Sequence, residues 1–420
     1  MNPSPQGVLT GPLPRTALFA YGGLGLPLAF AALPLYVHLA PFYSTHLSLA
    51  LIGAVLLALR FFDAAIDPLL GALFDRFPRP RTLILVSLPL LGLGWVGLFH
   101  PPASGVLLWF VGTLALTTLG YSLATVVHNS WGARIHPAPH ERTRLFATRE
   151  GFGLAGVVLA AALPLVLADD LASGLSALGW IFLVLLGMFA LGTFAATPPM
   201  QASPHRLELR RFLQPFANPA FARFLPGYVL NGVAAALPAT LVIFFIDDVL
   251  ELQAWSGLFL ALYFVSGALG LPLWVALARR IGKLEAWMTS MALAVVTFAG
   301  AFWLGSGDLA GFAWVCVASG LALGADLALP PALVADYLDD DARPVPGAYY
   351  GLLGFFAKFT LALAAGLALP LLDLAGYAPG STDTAALSAT YALLPCVIKL
   401  AALAWFWAQR PRLQPGVCPC

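Results

Sequence analysis

The sequence predicts an all-α membrane protein of twelve transmembrane helices arranged as two six-helix halves. Of its 420 residues, 60% are hydrophobic and only 10% charged, against about 25% charged in an average soluble domain. Apolar runs of the length needed to cross roughly 30 Å of hydrocarbon recur near residues 16–38, 47–74, 82–99, 104–130, 147–168, 174–196, 222–246, 254–278, 285–305, 309–336, 346–373 and 386–409. The longest polar interruption, Thr197 to Ala222, divides these runs six and six. It defines an N-terminal half (1–196), a linker (197–222) and a C-terminal half (223–420).

The first run lacks a small-residue cleavage site and is expected to remain as a helix. The basic residues then orient the spans. Arg60, Arg149, Lys358 and Lys399 lie within or at the ends of runs, and all other Lys and Arg fall at the termini or in every second connection. Arg76, Arg79 and Arg81 follow the second span, Arg134, Arg142 and Arg144 the fourth, Arg206, Arg210, Arg211 and Arg223 the sixth, and Arg279, Arg280 and Lys283 the eighth. Basic connections stay in the cytoplasm, so these loops, the linker and both termini are expected there. The opposite connections carry no Lys or Arg and hold acids instead, among them Asp169, Asp170, Asp308 and Asp383.

Run two ends in GALFDRFPRPRT and run eight in LPLWVALARRIGK, each a small-residue helix end followed by a basic turn. Paired six-helix halves with a basic turn after the second helix of each form the pattern of the major facilitator fold. Gly22, Gly23, Gly25, Pro27 and Pro34 in the first span, and Pro330 and Pro331 in the tenth, are expected to serve close packing and bending.

Charged residues inside the spans are the next signal, because a charge at bilayer depth costs several kcal/mol, from about 2.5 upward, and usually faces a polar interior. Arg60, Asp63 and Asp67 interrupt the second span. The two acids are spaced i, i+4 and project from one helix face about a turn apart. Such a pair can hold a hard cation through oxygen or share one proton, and Arg60, at i, i+3 from Asp63, can pair with it instead. Pro68 adds a bend that can free a backbone carbonyl for an ion.

The fourth span ends in GYSLATVVHNSWGARI, where Tyr121, Ser122, Thr125, His128 and Asn129 form a polar and aromatic face suited to a polar organic solute. His128 is either a proton carrier or a neutral, hydrogen-bonded packing residue. Arg149 opens the fifth span and can fork onto a solute or an acid, or pair with an acid in the neighbourhood of Glu150. Lys358 lies too deep in the eleventh span to reach the interface easily and needs a partner, Asp326 of the tenth span or the acids of the second. Lys399 in the twelfth span is expected to be structural.

Three segments resemble the glycoside-pentoside-hexuronide:cation symporter family over nearly the whole chain: RFFDAAIDPLLGALFDR, HNSWGARIHPAPHERTRLFATREG and ADYLDDDARPVPGAYYGLLGFFAKFTLALAAG. The resemblance implies that Asp63 and Asp67 serve the coupling cation and that Arg149 and Lys358 match the family's charged residues in the fifth and eleventh spans. It also implies that Tyr121 and Ser122 stand near the sugar and the cation. Two departures alter this. An amide that precedes the second acid in the melibiose permease is Ile66 here, which favours protons over Na⁺, and substrate-binding acids of the first and fourth spans become Ala29 and Thr125.

The expected function is a secondary active symporter, coupled to H⁺ or Na⁺, that moves a small organic solute, by default a sugar or glycoside, by alternating access. Asp63, Asp67 and Ser122 are the cation ligands, and Tyr121, Thr125, Asn129, Arg149 and Lys358 surround the solute. The alternative is a transporter of lysolipid or another amphipath. Without a nucleophile elbow, phosphate loop or metal-ligand cluster, an enzyme is not expected. A non-transporting sensor would not need the acids of the second span. The expected partners are the solute and the bilayer, with no nucleic acid, no cofactor beyond the coupling ion and no metal other than Na⁺, in a monomer of the bacterial inner membrane.

Overall fold

The computed structural model describes residues 11–44, 46–167, 171–200, 209–341, 344–377 and 384–413. Asp169, Asp170, Arg206 and Asp383 lie outside them. Fifteen α-helices run along the described chain, and they form the twelve spans of a major facilitator fold. The first span is broken into α1 (Arg15–Gly23) and α2 (Gly25–Val37). Pro27 supplies no N–H to the carbonyl of Gly23, so the ladder lapses there. A short α3 (Leu39–Tyr43) leads to α4 (Leu49–Arg76), and α5 (Pro80–Leu98), α6 (Val106–Gly132), α7 (Pro139–Leu167) and α8 (Leu171–Ala196) follow. After a 3-10 turn come α9 (Pro219–Phe244), α10 (Ser256–Ile281), α11 (Lys283–Ala301), α12 (Leu309–Asp339) and α13 (Pro346–Leu374). The twelfth span is α14 (Ala385–Ser388), a π-helical turn (Ala389–Leu393) and α15 (Leu394–Leu413).

Ten of the spans are apolar enough to cross a bilayer on composition alone. The other two are α4 and α7, long enough at 28 and 29 residues but interrupted by charge. Large apolar side chains point outward along the helices, as at Leu108 (80% exposed) and Val184 (68%), which suits a lipid surround. Trp303 and Trp314, beside the ends of α11 and α12, are also exposed, at the level where indole rings favour the membrane interface.

The helices gather into two compact units, residues 1–214 with 343–355, and residues 215–342 with 356–420. In the first, α2 packs on α7, α5 on α6, and α1 on α7 and α8. Its core holds Phe30, Trp95 and Phe182, the Trp95 and Phe182 ring centroids 4.9 Å apart, and Trp95 Nε1 donates to Ala31 O at 3.0 Å. In the second, α12 packs on α10 and α11 while α15 packs on α9. Trp287 and Phe406 lie 4.9 Å apart, and Phe245 stacks on Tyr391 at 4.1 Å.

The start of α13 belongs to the first unit, where it crosses α4 at closest range. A Cβ on Gly71 would meet the carbonyl of Gly347, and one on Gly347 would meet Gly71 and the Asp75 carboxyl. Without side chains at both positions the backbones touch, and the Asp75 carboxylate receives the Gly347 and Ala348 N–H groups at 2.8 Å each. A buried acid thus caps a helix on another span, where unpaired N–H groups and the helix dipole favour negative charge. The second basic turn uses a different device. Lys283 donates to both carboxylate oxygens of Asp336 at 2.7 Å.

At the start of α7, Glu141 is buried and accepts from Arg144 Nη1 at 2.8 Å and from the Leu13 N–H at 3.1 Å, with His140 Nε2 2.8 Å away. Burial opposes its ionisation, yet the Arg144 and Leu13 hydrogen bonds and the Arg144 and His140 charges hold its carboxyl below the usual carboxylate range. A carboxyl lowered by folding stabilises the folded state above its unfolded pKa, about 4.3. That contribution fades as the pH falls through the lower folded value. The stability advantage of the native chain over Glu141→Gln, measured by thermal unfolding, is therefore expected to be greatest above about pH 5 and to shrink on acidification through about pH 4. An advantage that does not vary with pH would contradict this.

Candidate functional site

The two acids of α4 occupy different surroundings. Asp63 accepts a hydrogen bond from Ser122 Oγ of α6 at 2.5 Å. It lines a cavity of about 60 Å³ together with Arg60, Thr118 and Tyr121 and the apolar side chains of Leu35, Leu56, Leu59 and Leu114. Asp67, one turn on, is only 1% exposed. Its Oδ2 lies 2.6 Å from where a Cβ on Gly354 would stand, so the small residues of α13 leave room for this carboxylate. Pro68 sits within a continuous α4. Lacking an N–H, it leaves the Ala64 carbonyl, between the two acids in sequence, without its helical donor. The oxygens of Asp63, Asp67, Ser122 and Ala64 are thus contributed by adjoining turns of α4 and by α6. Ile66, where an amide would add one more, packs against the apolar core.

The polar end of α6 divides into satisfied and unsatisfied groups. His128 is fully buried; its Nε2 stands 3.0 Å from Tyr21 O, and Tyr21 Oη donates to His128 O at 2.9 Å. The rings lie 4.1 Å apart. This reciprocal pair ties α1 to α6. Thr125 Oγ1, Asn129 Oδ1 and the other ring nitrogen of His128, Nδ1, are buried with no hydrogen-bond partner among the described residues, as is Arg149 Nε. An unmet buried polar atom costs about 1–3 kcal/mol, a deficit that a hydroxylated solute would remove.

Arg149 forms an ion pair with its neighbour Glu150, their side chains 13% and 17% exposed. The first span makes room for it. A Cβ on Gly25 would meet the Arg149 carbonyl and, at 3.1 Å, its Cγ, while one on Gly22 would meet Thr148 and the Arg149 N–H. The glycines of the first span therefore set the closeness of α1 and α2 to α7. Ala29 lies beside Gly153 on the same interface.

Lys358 is half-buried on the part of α13 that belongs to the second unit. The partnership expected between it and Asp326 is replaced by another. Asp326 Oδ1 accepts from Asn231 Nδ2 at 3.0 Å and Trp287 Nε1 at 2.6 Å, and Oδ2 accepts from Lys399 Nζ at 3.2 Å. Lys399 also donates to Asn231 Oδ1 at 2.8 Å. Lys399 comes from α15 and reaches Asp326 because α12 and α15 both pack on α11. Sequence reading missed Asn231, Trp287 and Tyr21; a lone amide in the apolar run YVLNGVAAA was the available signal for the first. It also left out Thr118 and Asp75.

Two helical units with inward-facing charge, oxygen-rich turns on α4 and α6, and no strand among the described residues define a multi-pass membrane transporter of the major facilitator class. The chain belongs to the family described as MFS/sugar transport protein, whose model matches residues 18–409. No curated protein sequence matches it. A variant of the E. coli fucose:proton symporter superposes with a TM-score of 0.71 at 14% identity, covering 93% of this chain and 98% of that one. A bacterial homologue of the iron transporter ferroportin, in its outward-facing state, gives 0.69 at 18% identity, covering 95% and 100%. At these identities the likeness is one of fold.

The second unit's buried pair gives a direct test. Removing one partner of a buried ion pair costs about 3–5 kcal/mol, because the other charge is stranded. Lys399→Met is therefore expected to lower thermal stability steeply, and adding Asp326→Asn to restore most of the loss. Losses that simply add in the double variant would show that the two charges do not depend on each other.

Proposed function

We propose that the protein is a cation-coupled symporter of a small organic solute, by default a sugar or glycoside, and that it stands among the glycoside-pentoside-hexuronide:cation symporters. The observation that carries this is the Ser122 hydroxyl on Asp63, which brings a neutral oxygen of α6 to the first of two acids one turn apart. Asp63, Asp67 and Ser122 take the cation. Tyr121, Thr125, Asn129 and Arg149 contact the solute from the first unit. Lys358 is assigned to the solute by the resemblance of its segment to that family.

The coupling ion is preferentially a proton. Na⁺ needs several oxygens to replace its water, and Ile66 withholds one that an amide would give. Two neighbouring carboxylates resist ionising together and so hold one proton between them. Binding of that proton removes a net negative charge from α4, and its release restores it. The cell orientation that accompanies this, with both termini and the basic turns cytoplasmic, rests on the alternation of basic connections.

An amphipathic solute such as a lysolipid is the second reading, favoured by the apolar lining of the cavity beside Asp63 and by Ala29 and Thr125 in place of acids. Uptake of labelled sugars, glycosides and lysolipids into proteoliposomes, driven by a pH gradient without Na⁺ and then by a Na⁺ gradient at fixed pH, separates these readings. Concentrative uptake driven by the pH gradient is expected in the native protein, with a loss of at least about tenfold in Asp63→Asn and in Asp67→Asn at equal insertion. That loss is worth roughly 1.4 kcal/mol or more of coupling. Full concentrative uptake in both variants would sink the cation site, and strict Na⁺ dependence would sink the proton preference.

A further inference from the structure

The second unit holds a partly open cavity of about 180 Å³ between α9, α10, α11, α12 and the twelfth span, and every residue that lines it belongs to that unit. Its walls are apolar and aromatic, with Phe259, Phe264 and Phe298 among them. At one end stand Asp326 and Lys399, and on its wall the hydroxyl-bearing Tyr263 and Tyr391. Tyr391 is only 3% exposed, and both phenols stand among the groups that line the cavity. Tyr391 is presented by the π-helical turn Ala389–Leu393, a local departure from α geometry that recurs at functional sites.

The polar end has a definite valence. The Lys399 ammonium has three donors, of which Asn231 and Asp326 take two. The Asp326 carboxylate has about four acceptor positions, three of them used by Asn231, Trp287 and Lys399. One donor and one acceptor remain, the complement of a hydroxyl group. The pair is already neutral, so a charged ligand group would strand a net charge at bilayer depth, which is costly. Size limits the rest of the ligand. An engineered cavity of about 150 Å³ holds one benzene, so this cavity accepts a ring or a short alkyl body within its walls.

We propose that the second unit holds its own binding site for a neutral, ring-sized alcohol or phenol, with the hydroxyl on Lys399, Asp326 and Tyr391 and the apolar body among the phenylalanines. The site is distinct from the acids of α4 and stands or falls independently of solute coupling there. The hydroxyl belongs either to a free small molecule or to a glycerolipid headgroup reaching in from the bilayer.

The test uses fluorine NMR of 4-fluorobenzyl alcohol with the full chain in phosphatidylcholine nanodiscs, empty discs serving as the blank. A bound signal is expected, with 4-fluorotoluene and 4-fluorobenzoate binding at least tenfold more weakly. Ala322→Phe and Ala235→Phe, which fill the cavity from opposite helices, are expected to remove it. Using both keeps the result readable if one variant elutes as aggregate. Tyr391→Phe should weaken the alcohol at least threefold and leave 4-fluorotoluene unchanged. Displacement by added diacylglycerol would assign the hydroxyl to lipid, and its failure to displace would assign it to a soluble alcohol. The proposal is overturned if no signal exceeds the blank, if it persists in both filled variants, or if toluene or benzoate binds as tightly as the alcohol.

Discussion

A charge in hydrocarbon must be answered by another polar group, and most of this fold's specific architecture follows from that requirement. Exposed apolar side chains recur along the spans, so they do little to distinguish one from another. What differs is where each intramembrane charge finds its counterpart. Arg149 turns to Glu150 on its own helix, Asp63 to a hydroxyl of α6, Asp75 to the N-terminus of α13, and Lys399 to an acid and an amide on two other helices. Each answer except that of Arg149 fixes a contact between spans. Together they help to explain how α4 and α7, both interrupted by charge, fold as spans.

Close approach is the second ingredient, and it is supplied by missing side chains. Gly71 and Gly347 let α4 and α13 touch backbone to backbone, and only at that distance can the Asp75 carboxylate reach two N–H groups of another helix. Gly22 and Gly25 do the same for α7, where Arg149 sits. In membranes, where apolar burial between helices contributes little, such packing and the hydrogen bonds it permits carry association. A larger residue at Gly71 or Gly347 would separate the capping acid from its helix as well as disturb packing.

Ten spans were legible from length and composition, α4 and α7 from long apolar runs broken by charge, and the acids of α4 because charges stand out against such a run. Pairing between spans was harder to read. Lys358 and Asp326 lie close in sequence terms, on consecutive spans, yet Asp326 is held by Asn231, Trp287 and Lys399, which come from α9, α11 and α15. No periodicity within one helix encodes which of its neighbours it will meet. His128 carried two readings, and its contact with the Tyr21 carbonyl of another span could not be read from the pattern of α6. The π-helical turns at Phe245–Val249 and Ala389–Leu393 left no trace in composition, because they change the ladder by one residue without changing the apolar pattern.

The central claim is that Asp63 and Asp67 form one ion-exchanging unit, and it is tested most directly by infrared difference spectroscopy of the protein in lipid as the pH is raised. No solute is needed. If the two carboxylates share a proton, the native protein loses a protonated-carboxyl band on alkalinisation, and that band is absent or displaced in both Asp63→Asn and Asp67→Asn. A carboxyl band that titrates identically in the native protein and in both variants would contradict the claim.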